Sequence, residues 1–303
     1  MTLYINKANE NWVVDKFRKE FYTFSKLRKT KFISKSDTIW IIAPWTWKKL
    51  NIKHLISKNV ICTVHHIDFT KFDEKTRENF QMLDQYVDRY HTISKKSYND
   101  LKTITKKEID IMPFWINQNN FFNIKQKAEL RNELNLPKNK YLIGSFQRDT
   151  EGKDLISPKM SKGPDLFIDY VLSMQNKIPN IHIVLAGKRR QYIISELRRL
   201  NIPFSYFEMV NIEVINKLYN ALDLYIVSSR VEGGPQALME CAITKTPVIS
   251  NDVGFAREML SSNSIIENSN PLHATPDVEF AFKNVEKLKI PYGINNIEKL
   301  LTK

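Results

Sequence analysis

Two glutamates bracket a helix start in the stretch DLYIVSSRVEGGPQALMECAITKTPVIS, residues 223–250. Glu232 stands just ahead of Gly233, Gly234 and Pro235, and Glu240 stands inside the helical run QALMECA. The apolar run DLYIVSS reads as a strand that ends in a polar turn. Gly233 and Gly234 permit a backbone that other residues resist, and they let a ligand come close. Pro235 suits the first helical turn, where its missing N–H costs nothing. The N–H groups of Gln236, Ala237 and Leu238 would then point out of the positive end of a helix, a ready-made site for a phosphate. Glu240 lies roughly 7 Å further along the axis. One carboxylate thus reaches to each side of a bound phosphate. Carboxylates are good acceptors for vicinal hydroxyls. The layout suits a sugar, a diphosphate and a ribose in line, which is a nucleoside diphosphate sugar.

The rest of the chain must supply the elements that position these groups. Its 303 residues, 42% hydrophobic and 26% charged, fit two soluble domains. Short β-branched runs alternate with helical patterns. Strands are expected at 2–5, 38–43, 60–64, 89–93, 110–114, 141–146, 181–187, 223–229 and 247–250. Helices are expected between them, among others at 72–85, 163–177 and 212–223. Apolar strands separated by helices imply parallel sheets covered on both faces. The fold class is α/β, with two Rossmann-like domains whose sheets face each other across a cleft. The polar stretch 115–140 places the boundary: a first domain at 1–135, a second at 136–275, and a helical segment at 276–303 that can pack back on the first domain.

No run approaches the ~20 apolar residues that span a bilayer, and MTLYINKANENWVVDKF lacks the apolar core of a signal peptide. Cys62 and Cys241 sit in apolar contexts as buried thiols, which fits a reducing cytoplasm. The net charge is +13. Residues 16–35 hold eight Lys/Arg against one Glu, and Trp12, Phe17, Phe21 and Phe24 recur at helical steps. The region from Trp12 to Lys35 reads as an amphipathic helix with a basic rim. It is either a solvated surface or a contact for an anionic membrane face, the latter peripheral and on the inner side. A nucleic-acid partner is the other reading of such charge, but no helix-turn-helix, zinc spacing or aromatic RNP-like strand accompanies it.

The segment EGGPQALMECAITKTPVIS, with its E-x7-E pair, resembles the donor-binding segment of glycosyltransferase family 4, which has the GT-B fold. The likeness runs over about residues 140–260. LYNALDLYIVSSRVEGG leads in, NDVGFAREML follows with Glu258 in the acidic position, and LIGSFQRDTEG with SKGPDLFIDYVL supplies the first strand, the basic loop and the Lys-Gly before the next helix. The resemblance implies a retaining transferase that needs no metal. Glu240 would hold the ribose hydroxyls and Glu232 would touch the donor sugar. Arg148 and Lys162 would neutralise the diphosphate as it leaves, since positive charge there favours the transition state. The loop between them is longer than is usual in the family, so Lys153 or Lys159 could take the place of Lys162. The base would be gripped by backbone around Met209, Val210 and Asn211. No D-x-D motif for a cation is present.

VICTVHHID (60–68) is similar to the family's strand that ends in a histidine. His65, with His66 as the alternative, would contact the donor sugar or diphosphate. A metal site on these histidines with His91 lacks supporting Cys or paired carboxylates. In place of the family's Gly-rich first loop stands YINKANENW, so Asn9, Asn11 and Trp12 are candidates for handling the acceptor. Trp45 and Trp47 could stack on sugar rings or fill a core. The donor would be UDP- or GDP-linked, and the acceptor a glycan or a lipid-linked precursor in cell-surface polysaccharide synthesis. A nucleotide-sugar epimerase would use the same phosphate cradle but needs acid/base carboxylates, for which Asp68 is the near candidate.

Overall fold

The computed structural model describes residues 1–10, 13–152 and 154–303. Asn11, Trp12 and Lys153 therefore lie outside the described residues. The chain divides into two compact units, one of residues 1–115 with 288–303, the other of residues 116–287.

The first unit is built on six parallel strands: β1 (Thr2–Ile5), β2 (Arg28–Lys29), β3 (Thr38–Ile41), β4 (Asn59–Val64), β5 (Arg89–Thr92) and β6 (Glu108–Ile111). Their order in the sheet is β2-β1-β3-β4-β5-β6. Alternation along the strands sends side chains to two buried faces. Leu3, Ile5, Trp40 and Ile61 enter one core, and Ile39, Ile41, Val60, Cys62, Val64 and Tyr90 enter the other.

The helix Val13–Phe24 buries Val14, Phe17 and Phe21 in the first of these cores. Phe17 stacks on Phe114 at 4.3 Å. Much of the apolar face of this helix is thus spent on the protein interior, while Phe24 stays exposed. The last helix, Tyr292–Thr302, fills the same core with Ile294, Ile297, Leu300 and Leu301. Gly293 lets it approach: an added Cβ would lie 2.6 Å from Trp115 Cβ and 2.6 Å from the Leu288 carbonyl.

The second unit has six parallel strands as well: β7 (Tyr141–Ser145), β8 (Ile181–Ala186), β9 (Phe204–Phe207), β10 (Leu224–Val227), β11 (Val248–Asn251) and β12 (Ile265–Ile266). Their order is β12-β11-β10-β7-β8-β9. Ile143, Ile183, Leu185, Leu224, Ile226 and Ile249 pack under the helices Pro164–Gln175 and Gln191–Arg199.

The units divide at 115/116, at the start of the polar stretch 115–140, where the expected boundary stood at 135/136. Residues 116–135 are fastened to the second unit by hydrogen bonds. Asn216 Oδ1 accepts from Phe122 N at 3.1 Å, and Asn220 Oδ1 accepts from Ile124 N at 2.7 Å. Arg131 donates to Asp223 Oδ2 at 2.6 Å. Polarity here marks backbone-to-side-chain docking, not a solvated linker. At the far end, the helix Val278–Glu286 stays with the second unit and only residues 288–303 return to the first. Both cysteines are buried and free. No helix among the described residues is long and apolar enough to cross a membrane.

Candidate functional site

In a parallel α/β sheet, ligands gather beyond the carboxyl ends of the strands. The loops after β7, β9 and β10 carry most of the residues singled out in the second unit.

The loop after β10 is clasped to the loop after β7. Arg230 N and Val231 N both donate to the Ser161 carbonyl, at 2.9 and 3.0 Å. The Arg230 guanidinium forks onto both Asp165 oxygens, at 2.7 and 2.6 Å, and donates to the Met160 carbonyl at 3.1 Å. Gly163 has φ 58°, and an added Cβ would lie 2.0 Å from the Ser228 carbonyl oxygen. Only glycine fits that approach. The clasp brings Lys162 Nζ onto Glu232 Oε1 as an ion pair, with side chains 23% and 13% exposed. Gln147 Nε2 donates to the Lys162 carbonyl at 2.9 Å, and Ser229 donates to Gln147 Oε1 at 3.0 Å.

The helix Gln236–Thr244 starts next, with Pro235 as its capping residue and not its first helical one. Leu238 N donates to the Pro235 carbonyl at 3.0 Å. The expected trio of free N–H groups is therefore reduced to Gln236 and Ala237, because the first turn tightens on the proline carbonyl. Gly233 and Gly234 are not among the positive-φ glycines, so neither supplies a left-handed turn. That role falls to Gly254, with φ 54°, whose added Cβ would lie 2.3 Å from the Gly233 carbonyl oxygen. The two glycines ahead of the helix contribute small size and close approach instead.

Glu240 is partly exposed on the same helix, and its Oε2 accepts from Tyr219 Oη at 2.7 Å. Tyr219 is itself buried, packed against Phe146 at 4.8 Å and Tyr225 at 5.4 Å. Burial, and next the Glu240 charge, push its phenol well above the usual range, so it remains a donor. Arg148 is partly exposed in the loop after β7 and has no side-chain hydrogen bond or ion pair among the described residues. Lys159 pairs with Glu151 at 3.4 Å, while Lys162 pairs with Glu232.

In the loop after β9, Met209 has φ 47° and is 64% exposed. Val210 follows, and Asn211 caps the helix Ile212–Ala221 by accepting from Val214 N at 2.9 Å. Asn211 thus spends its side chain on the helix start. Its neighbours' backbone stays on the loop.

In the first unit, His65 follows β4 and is held by the Ile42 carbonyl, to which Nε2 donates at 2.9 Å. Its ring lies 5.9 Å from Trp45 and 5.9 Å from Phe114. Burial pushes it down to about 4, so it is neutral near pH 7, with Nδ1 as an acceptor. His91 is wholly buried and bonds the Met112 carbonyl at 2.7 Å and Thr63 Oγ1 at 2.9 Å. Trp47 is 8% exposed and belongs to the core, which removes it from sugar stacking. Trp45 is 52% exposed, and its indole donates to Glu10 Oε1 at 2.8 Å. Asn9 N donates to Asp15 Oδ1 at 3.1 Å. Among the described residues no group of three or more His, Cys, Asp or Glu side chains is gathered as a metal site.

The residues that shape the site but carry no signal of their own in the sequence are Tyr219, Gln147, Ser229, Arg230 and Asp165. Arg230 and Asp165 read as surface charges until the chain brings them together.

Two parallel six-stranded units are the GT-B architecture of nucleotide-sugar transferases. Solved structures with the same fold include HepE of Anabaena, in complex with UDP and glucose, at TM-score 0.74 and 12% identity over 99% of each chain. Sucrose-phosphate synthase of Thermosynechococcus elongatus matches at TM-score 0.70 and 15% identity, over 97% of this chain and 79% of that one. In sequence, the lipopolysaccharide core biosynthesis mannosyltransferase LpsB of Rhizobium meliloti is 26% identical over 167 residues. That match covers 52% of this chain and 45% of the relative's length. Residues 126–290 match the glycosyl transferases group 1 family, and the chain belongs to it.

Proposed function

We propose that the protein is a retaining glycosyltransferase that moves a sugar from a nucleoside diphosphate donor, UDP- or GDP-linked, to a glycan or lipid-linked acceptor in cell-surface polysaccharide synthesis. The observation that carries this is the ion pair of Lys162 with Glu232 just ahead of the helix Gln236–Thr244, with Glu240 on that helix and Arg148 in the loop that carries Lys162. Two cations and a helix N-terminus suit a diphosphate, and a carboxylate to either side suits hydroxyls. The ligands of HepE and the polysaccharide role of LpsB support the same reading.

In the proposed reaction, the bond from the anomeric carbon to the diphosphate oxygen breaks. The acceptor oxygen bonds that carbon from the same face, and the acceptor proton passes to the departing phosphate oxygen. Arg148, Lys162 and the helix dipole offset the charge that builds on that oxygen, which is the work a metal does elsewhere. Glu240 holds the ribose, Glu232 the donor sugar, and His65 offers Nδ1 to a hydroxyl. The backbone at 209–211 grips the base. The reaction runs on the cytoplasmic side. Attraction to an anionic membrane through residues 16–35 is chiefly electrostatic, since Phe17 and Phe21 there are buried in the core.

The test is a thermal-shift panel of UDP, GDP, ADP, CMP and dTDP with their sugar forms, on the protein and on Glu240→Ala. A ligand that binds only the folded state raises its stability. A shift with one nucleotide that is lost in Glu240→Ala supports the donor site and names the base. No shift with any of them overturns it. Transfer that survives EDTA supports metal independence, and loss of transfer with EDTA ends it.

A further inference from the structure

Asp149 and Arg190 are buried side by side where β7 and β8 end, 1% and 0% exposed. Arg190 Nε lies 3.4 Å from Asp149 Oδ2, and Arg190 Nη2 donates to Ser145 Oγ at 3.1 Å. Among the described residues no hydrogen bond reaches Arg190 Nε or Nη1, Asp149 Oδ2 or the neighbouring Thr150 Oγ1. A buried ion pair with such incomplete hydrogen bonding is a poor source of stability, because desolvation rivals the attraction. What the pair does offer is geometry. Asp149 N donates to the Arg189 carbonyl at 2.8 Å, its carbonyl accepts from Lys159 N at 2.7 Å, and its Oδ1 accepts from Tyr192 N at 3.2 Å. Asp149 therefore ties the start of the loop 146–162, the end of that loop, and the corner after β8 to one point. Arg148 is the next residue before it. Lys162 follows Lys159 by one turn, its N–H donating to the Lys159 carbonyl at 2.8 Å.

We propose that the Asp149–Arg190 pair positions Arg148 and Lys162 for the departing diphosphate by locking the loop that carries both. Neither residue of the pair touches the donor. The proposal rests on the transferase reading, so its test has one arm that does not need turnover.

That arm is amide hydrogen exchange on Arg190→Met and Asp149→Asn. Faster exchange at Glu151, Lys159 and Lys162, with β7 and the helix Gln236–Thr244 unchanged, is the expected result. Unchanged exchange in the loop overturns the lock, whether or not the protein transfers sugar. The second arm is kinetic. Both variants should lose about 10- to 100-fold in kcat, with the donor KM within about twofold, and the double variant should lose no more than the worse single one. Arg190→Lys should restore part of the loss. A kcat within twofold of the parent in a folded variant overturns the proposal. If Arg190→Met does not fold, Asp149→Asn decides, since the amide oxygen still accepts from Tyr192 N. A pH profile separates positioning from bulk structure. Burial pushes the Asp149 carboxyl up to about 6 against the pull of Arg190. The other titratable groups facing the pair are Tyr206, pushed up to about 12, and Tyr225, pushed up by burial. The parent should therefore lose kcat as pH falls through about 6, and Asp149→Asn should lack that limb. The same limb in both would sink the proposal. Absence of nucleotide binding by the parent would instead count against the transferase reading and leave the exchange result to decide the lock.

Discussion

Lys162 and Glu232, 70 positions apart, form an ion pair that closes the loop after β7 onto the loop after β10. The pair joins two residues that the resemblance assigns to different parts of one ligand. A lysine that is already paired greets an incoming diphosphate with its charge partly offset. The donor must share this lysine with Glu232 or draw it away.

The first prediction follows from that competition. Glu232→Gln should leave nucleoside diphosphate affinity equal or several-fold tighter, because Lys162 is released. Transfer should fall by roughly 100-fold as the sugar loses its contact. Calorimetry with the free nucleotide, set beside initial rates, gives both quantities. A weaker nucleotide in this variant would mean that the pair is structural scaffolding for the phosphate site.

Arg148 makes no side-chain hydrogen bond or ion pair among the described residues, so its removal should cost the fold little. Arg148→Ala should shift Tm by less than about 2 °C and lower kcat about 100-fold or more. An unchanged kcat would remove Arg148 from the leaving-group role.

Tyr219 reaches the site only through Glu240. Tyr219→Phe keeps the ring packed against Phe146 and Tyr225 but removes the hydroxyl that holds the carboxylate. A hydrogen bond to a charged group contributes about 1.5–3 kcal/mol. Nucleoside affinity should drop about tenfold or more, and the affinity for pyrophosphate, which lacks a ribose, should hold. Equal losses for both ligands would place Glu240 elsewhere than on the ribose.

Gly163 is a backbone requirement. Gly163→Ala places a methyl against the Ser228 carbonyl at a positive φ, which costs on the order of 1–3 kcal/mol in strain and parts the two loops. Chemical denaturation should show the loss of stability, and nucleotide binding should weaken with it. A stable variant with full binding would contradict the close approach.

His91 sets an acid limit on the first unit. Burial pushes the imidazole down from its ordinary 6.5 to about 4, so the folded state holds it neutral while the unfolded chain takes up a proton below 6.5. The stability tied to it is present above pH 6.5 and is lost as pH falls toward 4, by roughly 3 kcal/mol. Urea midpoints followed by the tryptophans of the first unit should fall over that window, and His91→Gln should make the slope shallower, the remainder belonging to His65, which burial also pushes down to about 4. A flat midpoint in the parent from pH 7 to 4.5 would refute the shift.

The interior strands were legible because burial on both faces writes continuous apolar runs such as VICTV and IHIVLA. The three strands that escaped reading, β2, β9 and β12, are edge strands of their sheets. Arg28–Lys29 and Ile265–Ile266 are two residues each, too short for any period. Phe204–Phe207 is half-buried throughout, so it lacks contrast. At the site, the order Arg148, Lys162, Glu232, Glu240 stands in the sequence. The pairing of Lys162 with Glu232 does not, because it depends on a loop contact set by Gly163 and Arg230. Nor does the switch of Pro235 from first helical residue to cap, which a single carbonyl decides. Trp45 and Trp47 look alike as letters, and only the core tells them apart.

The last helix has a consequence for how the molecule is made. Residues 1–115 are made before the second unit, yet the core they share with Ile294, Ile297, Leu300 and Leu301 stays open until residues 288–303 have been made. The second unit, 116–287, is continuous and complete before then. Nascent Trp40, Phe114 and Trp115 must wait through its synthesis with one wall of their core missing, and that interval is when the polypeptide is most exposed to aggregation and to chaperones.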